Sequence, residues 1–159
     1  MNLPAHPAHH FATRLVWTGG EAGVPFDYES YSREARLEIA GKPSLSLSAS
    51  PAFKGDGALH NPEDLLVAAL TGCHFLSYAA FCARSKITLV SYEDDATGTM
   101  EQKDGKMRFT EVVLRPRVVI AAGGDLEKAK ALHERAHEAC FIASSVNFPV
   151  RHEAVVSFG

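Results

Sequence analysis

The sequence predicts an α+β fold in which helices are grouped between antiparallel hairpins. Three observations point there: a charged–apolar alternation over residues 33–39, a long apolar segment from Asn61 to about Ser85, and a strand–turn–strand pattern from Thr88 to Ile120. Strands and helices come in groups rather than in strict alternation, which favours α+β over a doubly wound parallel sheet.

Residues 1–10, with Pro4, His6, Pro7, His9 and His10, read as a flexible N-terminal arm. Residues 11–159 read as one domain, without internal repeat or linker. Phe11 to Trp17 favours a strand, and Gly19-Gly20-Glu21-Ala22-Gly23 a turn. Arg33, Ala35, Leu37 and Ile39 fall on one face and Glu34, Arg36 and Glu38 on the other, the pattern of a half-buried strand. Gly41-Lys42-Pro43 then turns the chain into a second strand carrying Leu45 and Leu47.

Asn61-Pro62-Glu63-Asp64 is a helix start: Asn caps, Pro fits the first helical position, and two acids face the positive helix end. A helix from there to Ser85 is about 36 Å long. Its middle, Leu65 to Phe81, is apolar almost all round and so must be enclosed on every side. Small alanines, with Thr71, His74, Ser77 and Tyr78, point to a buried central helix rather than a membrane span. Thr88–Gln102 and Met107–Ile120 read as two long strands joined at Lys103-Asp104-Gly105-Lys106, a hairpin signal. Asp125 caps a second helix through Ala139, with Leu126, Ala129, Leu132, Ala136 and Ala139 as its inner stripe, and Val150 to Phe158 is a closing strand.

A chain of 159 residues suits one core, burying roughly 70% of its unfolded surface. With 46% hydrophobic and 22% charged residues and a net charge of -3, nothing argues for a nucleic-acid partner. Met1 to His10 lacks the basic-then-apolar pattern of a signal peptide, and no purely apolar run reaches the roughly 18 residues of a membrane span. The expected location is the cytoplasm, where stable disulfides are rare, so the three cysteines are buried, metal-bound or catalytic.

Cys73 sits mid-helix and Cys140 near the end of the second helix, 67 positions apart. Each taken alone reads first as a small inert core residue, and Cys82, nine residues past Cys73, reads as packing. His133, His137 and Cys140 share a helical face and form a candidate metal triad, although histidines beside Glu134 and Glu138 also suit a solvated face. Arg33 on an apolar face requires a partner for its charge. If that partner is Glu63, the two would set a fixed cation beside an apolar site, where it would lower a thiol pKa. Glu63 precedes Cys73 by ten residues, about 15 Å along one helix. The two can share a site only if a second copy of the chain delivers Glu63 or the helix starts later. The need to enclose the apolar helix also favours a dimer.

Asn61-Pro62-Glu63-x-Leu65-Leu66, then Cys73 ten residues after the glutamate and the second cysteine in Ala136-His137-x-x-Cys140, resembles the OsmC/Ohr family of thiol peroxidases, from about Phe11 to Phe158. The resemblance implies an OsmC-like fold: an intertwined α+β homodimer with two long central helices wrapped by sheets from both subunits. It implies Cys73 as the peroxidatic thiolate and Cys140 as the thiol that closes a disulfide with it. An external dithiol, a lipoylated protein in the hydroperoxide-resistance branch, would restore the pair. Arg33 would hold the thiolate and steer an organic hydroperoxide, with Arg36 as the competing candidate, and Glu63 would orient the arginine. No metal, haem, flavin or other cofactor is implied. Three departures mark a separate branch: His74 stands where the best-studied peroxidases carry an aromatic residue, Tyr28, Tyr31 and Ser32 replace a glycine-rich approach to Arg33, and Phe141-Ile142-Ala143-Ser144 follows Cys140.

Three functions follow as expectations. One is a cysteine-based peroxidase acting on organic hydroperoxides. Another is a dimeric module that binds a small apolar ligand in the same cleft with inert cysteines. The third is a metal site at His133, His137 and Cys140.

Overall fold

The computed structural model describes residues 7–20 and 26–159, and backbone contacts group the chain into two units, Met1–Asp64 and Leu65–Gly159. Most of the expected arm (residues 1–6) and the Glu21–Gly23 part of the first turn lie outside the described residues, while residues 7–10 are exposed and belong to no helix or strand.

In the first unit, β1 (Arg14–Trp17), β2 (Ala35–Glu38) and β3 (Leu45–Leu47) form an antiparallel sheet in that order. Gly41 takes φ +77°, the left-handed conformation that lets the chain reverse between β2 and β3. β1 and β2 are shorter than the alternation suggests. Before β2, the Arg33 guanidinium bonds main-chain carbonyls upstream instead of leaving a regular strand. The facing pattern holds at Ala35, which is buried, and Arg36, which is exposed. Glu38 is only half-buried because Arg14 and Arg36 each donate to its carboxylate at 2.8 Å. After β3, Ser48 N–H donates to the His60 carbonyl at 2.8 Å and Ser48 Oγ accepts from Asp56 N–H at 3.1 Å, leading the chain to the helix start.

α1 runs from Pro62 to Arg84, about 34 Å. Its cap is the expected one: Asn61 Oδ1 accepts from Asp64 N–H, and Asn61 Nδ2 donates to the Asp64 carboxylate, both at 2.8 Å. By length and composition α1 could cross a membrane. In this fold it buries a stripe one turn apart (Leu70, His74, Tyr78 and Cys82) in the second unit's core, while Leu76 is 66% exposed.

The second unit adds β4 (Leu89–Asp94), β5 (Thr97–Lys103), β6 (Lys106–Leu114), β7 (Pro116–Ile120), α2 (Leu126–Glu138), β8 (Val150–His152) and β9 (Val155–Phe158). Asp104 and Gly105 take φ +53° and +75°, two successive left-handed residues that close the β5–β6 hairpin where the sequence indicates. The two long strands expected here are four. The Asp94 carboxylate accepts from Arg115 N–H at 2.6 Å and from the Thr71 hydroxyl, pinning the chain where both strands break. The closing segment is likewise two strands, and both pair in parallel: β8 with β6, and β9 with β7. The sheets, β4-β7-β9 and β5-β6-β8, are therefore mixed rather than wholly antiparallel.

Two apolar clusters anchor the helices. Tyr78 and Cys82 of α1 pack with Val118, Ile120, Leu132, Ala136 and Val156. Leu70 packs with Val112, Leu114 and Val150, and this second cluster also takes up Ile142 and Ala143, just past Cys140. Asp125 caps α2 by accepting from Lys128 N–H at 2.9 Å, and Tyr78 Oη donates to the Ala129 carbonyl at 3.1 Å, tying α1 to α2.

Candidate active site

Cys73 lies at mid-length in α1 and is half-buried; Cys140 is 1% exposed, and both are free thiols. Cys140 sits just past the end of α2, not within it: its N–H donates to the His137 carbonyl at 3.2 Å and its own carbonyl accepts from Ser144 N–H at 3.0 Å. The Cys73 and Cys140 thiols lie near enough to act on each other's ionisation, so the fold brings together two residues that the sequence separates by 67 positions. Burial pushes the Cys140 thiol above the usual cysteine range, and the neighbouring Cys73 thiol pushes it further; Ala143 N–H, donating to Cys140 Sγ at 3.4 Å, offsets part of this. Cys140 is thus a protonated thiol at neutral pH, and Cys73 is the more accessible of the two. Cys82 is fully buried in the core, as expected of a packing residue.

Arg33 and Glu63 line one cavity of about 360 Å³ in the first unit, with Trp17, Tyr31, Leu47 and Pro62 among its walls. The expected pairing between them is not made. Arg33 Nη1 donates to the Tyr31 carbonyl at 3.0 Å and Nη2 to the Tyr28 carbonyl at 2.7 Å. The guanidinium carbon stands 4.0 Å from the centre of the Tyr31 ring, a favourable cation–π distance. Two carbonyls and an aromatic face thus do for Arg33 what a carboxylate was expected to do. Glu63 Oε2 is buried with no hydrogen-bond partner among the described residues, a costly state for a carboxylate oxygen. Arg36 is exposed on β2 and pairs with Glu38 at 2.8 Å, away from this cavity's lining. Of the two arginine candidates, Arg33 is the one that faces Glu63's cavity.

The metal triad is not assembled. His133 turns into the α1–α2 interface, stacked on Tyr78 at 3.8 Å between ring centres, with its Nδ1 3.0 Å from His74 Nε2. Among the described residues, no group of three potential ligands is placed to hold an ion. The two imidazoles are 0% and 1% exposed, and burial, aided by nearby histidines, lowers His74 to about 4 and His133 to about 3. Both are neutral at physiological pH. His152 of β8 stands 5.6 Å and 5.9 Å from the two rings, and its Nε2 meets the Glu134 carboxylate at 3.3 Å. His133, expected from the sequence on the helix surface or as a metal ligand, belongs instead to this buried cluster. The available signal was His74, a polar side chain on an otherwise apolar helix that needs a partner from another element.

The family model described as OsmC-like protein matches residues 55–154. The chain is 25% identical over 156 residues to the uncharacterized protein YmaD of Bacillus subtilis, covering 95% of this chain and 97% of that one. It is 32% identical, with a TM-score of 0.86, to the OsmC-like protein of unknown function VCA0330 of Vibrio cholerae, over 93% of this chain and all of that one. An organic hydroperoxide resistance protein OsmC of Legionella pneumophila shares the fold at a TM-score of 0.66 and 21% identity, over 94% of this chain and 97% of its own length.

Proposed function

Because the chain belongs to the OsmC-like protein family, we propose that it is a cysteine-based peroxidase that reduces organic hydroperoxides to alcohols. The observation that carries this reading is the pairing of an accessible thiol, Cys73, with a buried protonated one, Cys140. The Cys73 thiolate attacks the terminal oxygen of the hydroperoxide and the O–O bond breaks. The alkoxide leaves and takes a proton to become the alcohol, and Cys73 becomes a sulfenic acid. The Cys140 sulfur then attacks the Cys73 sulfur, water departs, and a disulfide holds the two oxidising equivalents. An external dithiol, such as a lipoylated protein, takes them by exchange. The step uses no metal or organic cofactor, and a reducing cytoplasm suits thiols that must be restored after each turnover.

Arg33 and Glu63 join this chemistry through a second copy of the chain. Glu63 and Cys73 stand on one helix, ten residues and about 15 Å apart along its axis. A homodimer that lays the Arg33–Glu63 cavity of one copy against the thiols of the other solves that separation. It also covers the apolar outer face of α1. The cavity's apolar walls suit the carbon chain of an organic hydroperoxide, and Arg33 supplies the charge that favours the thiolate.

The test is peroxide consumption with cumene hydroperoxide and dihydrolipoamide. Cys73→Ser abolishes turnover, and Cys140→Ser permits the first oxidation but overoxidises or needs another thiol. Wild-type turnover in both variants would remove the mechanism. The second reading, a dimeric module that binds a small apolar ligand in the same cavity, is favoured by the absence of an Arg33–Glu63 bond. In that case peroxide leaves both thiols unchanged.

A further inference from the structure

The buried imidazole pair lies on the same two chain segments as the thiols. His74 directly follows Cys73 on α1, and His133 precedes Cys140 by seven residues, two helical turns. Their Nε2···Nδ1 bond of 3.0 Å is the one side chain–side chain hydrogen bond between α1 and α2 among the described residues. Each ring keeps a second buried nitrogen, His74 Nδ1 and His133 Nε2, with no partner among the described residues. An apolar pair would avoid those costs. A directional bond between side chains inside an apolar interface also does what apolar packing does not: together with the Tyr78 Oη bond to the Ala129 carbonyl, it holds one register of the two segments. Buried polar pairs fix register in coiled coils at some cost in stability.

We propose that His74 and His133 are positioning residues that set the approach of Cys73 to Cys140. This rests on the reading that the two thiols form a disulfide. A disulfide tolerates Cα separations of only about 4.4–6.8 Å, whereas a slip of one helical residue moves a side chain about 1.5 Å along the axis. Tyr78 secures the same arrangement, with His133 stacked on its ring and its hydroxyl bonded to the Ala129 carbonyl. Tyr78 lies five residues beyond Cys73, so His74 is the fixed point nearest the sulfur.

The experiment is a thiol–disulfide titration of the full chain against reduced and oxidised glutathione, with unfolding followed in parallel. His133→Leu and His74→Met keep bulk and lose the bond. The disulfide formed in each is less favoured than in the wild type by about tenfold or more, in line with the cost of misplacing reacting groups by about 1 Å. His74→Gln places an amide nitrogen where Nε2 stood, keeps the bond and holds the wild-type equilibrium within about threefold. Apolar variants that fold and titrate like the wild type overturn the inference. So does a His74→Gln shift as large as that of His133→Leu, which keeps the test decisive if an apolar variant fails to fold. A wild-type chain that forms no disulfide at any glutathione ratio removes the thiol reading itself, and this inference with it.

Discussion

Cys140, 1% exposed, has the half-buried Cys73 thiol as a neighbour that raises its pKa, although one thiol stands at the middle of a helix and the other in the turn after a second helix. The difference in burial distinguishes the two thiols. The buried sulfur is held as a neutral thiol, and in the proposed peroxidase the accessible one meets the incoming oxidant.

The arginine of the cavity gives a prediction about rate. Arg33→Ala lowers kcat/KM for cumene hydroperoxide by about tenfold or more, the scale of losing a charged group that favours the reacting thiolate. Arg36→Ala, which removes only an exposed pair with Glu38, leaves it unchanged. Steady-state peroxide consumption by the two variants separates them. Equal losses would place both arginines at the site.

Exposed apolar surface on α1 gives a prediction about assembly. Leu76 is 66% exposed on a helix that is apolar almost all round, a surface that suits a subunit interface. Leu76→Glu converts the proposed dimer to monomer in analytical ultracentrifugation. A wild-type chain that sediments as a monomer at micromolar concentration contradicts the proposed dimer.

The histidine pair gives a pH dependence. In the unfolded chain both imidazoles titrate near 6.5, whereas in the fold they are lowered to about 4 and about 3. Folding therefore requires the neutral forms. Their contribution is fully present above about pH 6.5 and is lost as pH falls through that value toward 4 and 3. His152, His137, Glu134 and Tyr78 are the other titratable groups of the cluster, and His152 and His137 add repulsion when protonated. Urea unfolding midpoints fall between pH 7 and pH 5 in the wild type, and His133→Leu flattens that fall. Parallel curves for the two proteins would show that the pair does not carry the dependence.

The helix cap gives a stability prediction that is independent of function. Asn61→Ala removes the acceptor of Asp64 N–H and costs about 1 kcal/mol. Chemical denaturation at pH 7 measures it, and no loss would mean that the bond is replaced by water.

These elements also show what the chain reveals before it folds. Asn61, Asp125 and the Asp104-Gly105 turn are legible because their physics is local: a side chain meets a backbone group a few residues away, or a backbone torsion suits a particular residue. The break between β4 and β5 was hidden because its cause is Asp94 bonding Arg115 N–H, 21 residues ahead. Parallel pairing of β8 and β9 was equally hidden, since each strand meets a partner far back in the chain. At the site, the residue types gave Cys73, Cys140, Arg33 and Glu63 as candidates. Arg33, expected to need a carboxylate, is satisfied instead by two backbone carbonyls and a tyrosine face. The burial of His133 was hidden because a helix pattern cannot show that an imidazole 59 residues away will face it.

The most direct test is the mass of the intact chain after one equivalent of cumene hydroperoxide, with peptide mapping under non-reducing conditions. The expected result is a loss of two hydrogens and a single linked peptide pair joining Cys73 to Cys140. Free thiols at both positions, or oxygen added to Cys73 with Cys140 untouched, would contradict it.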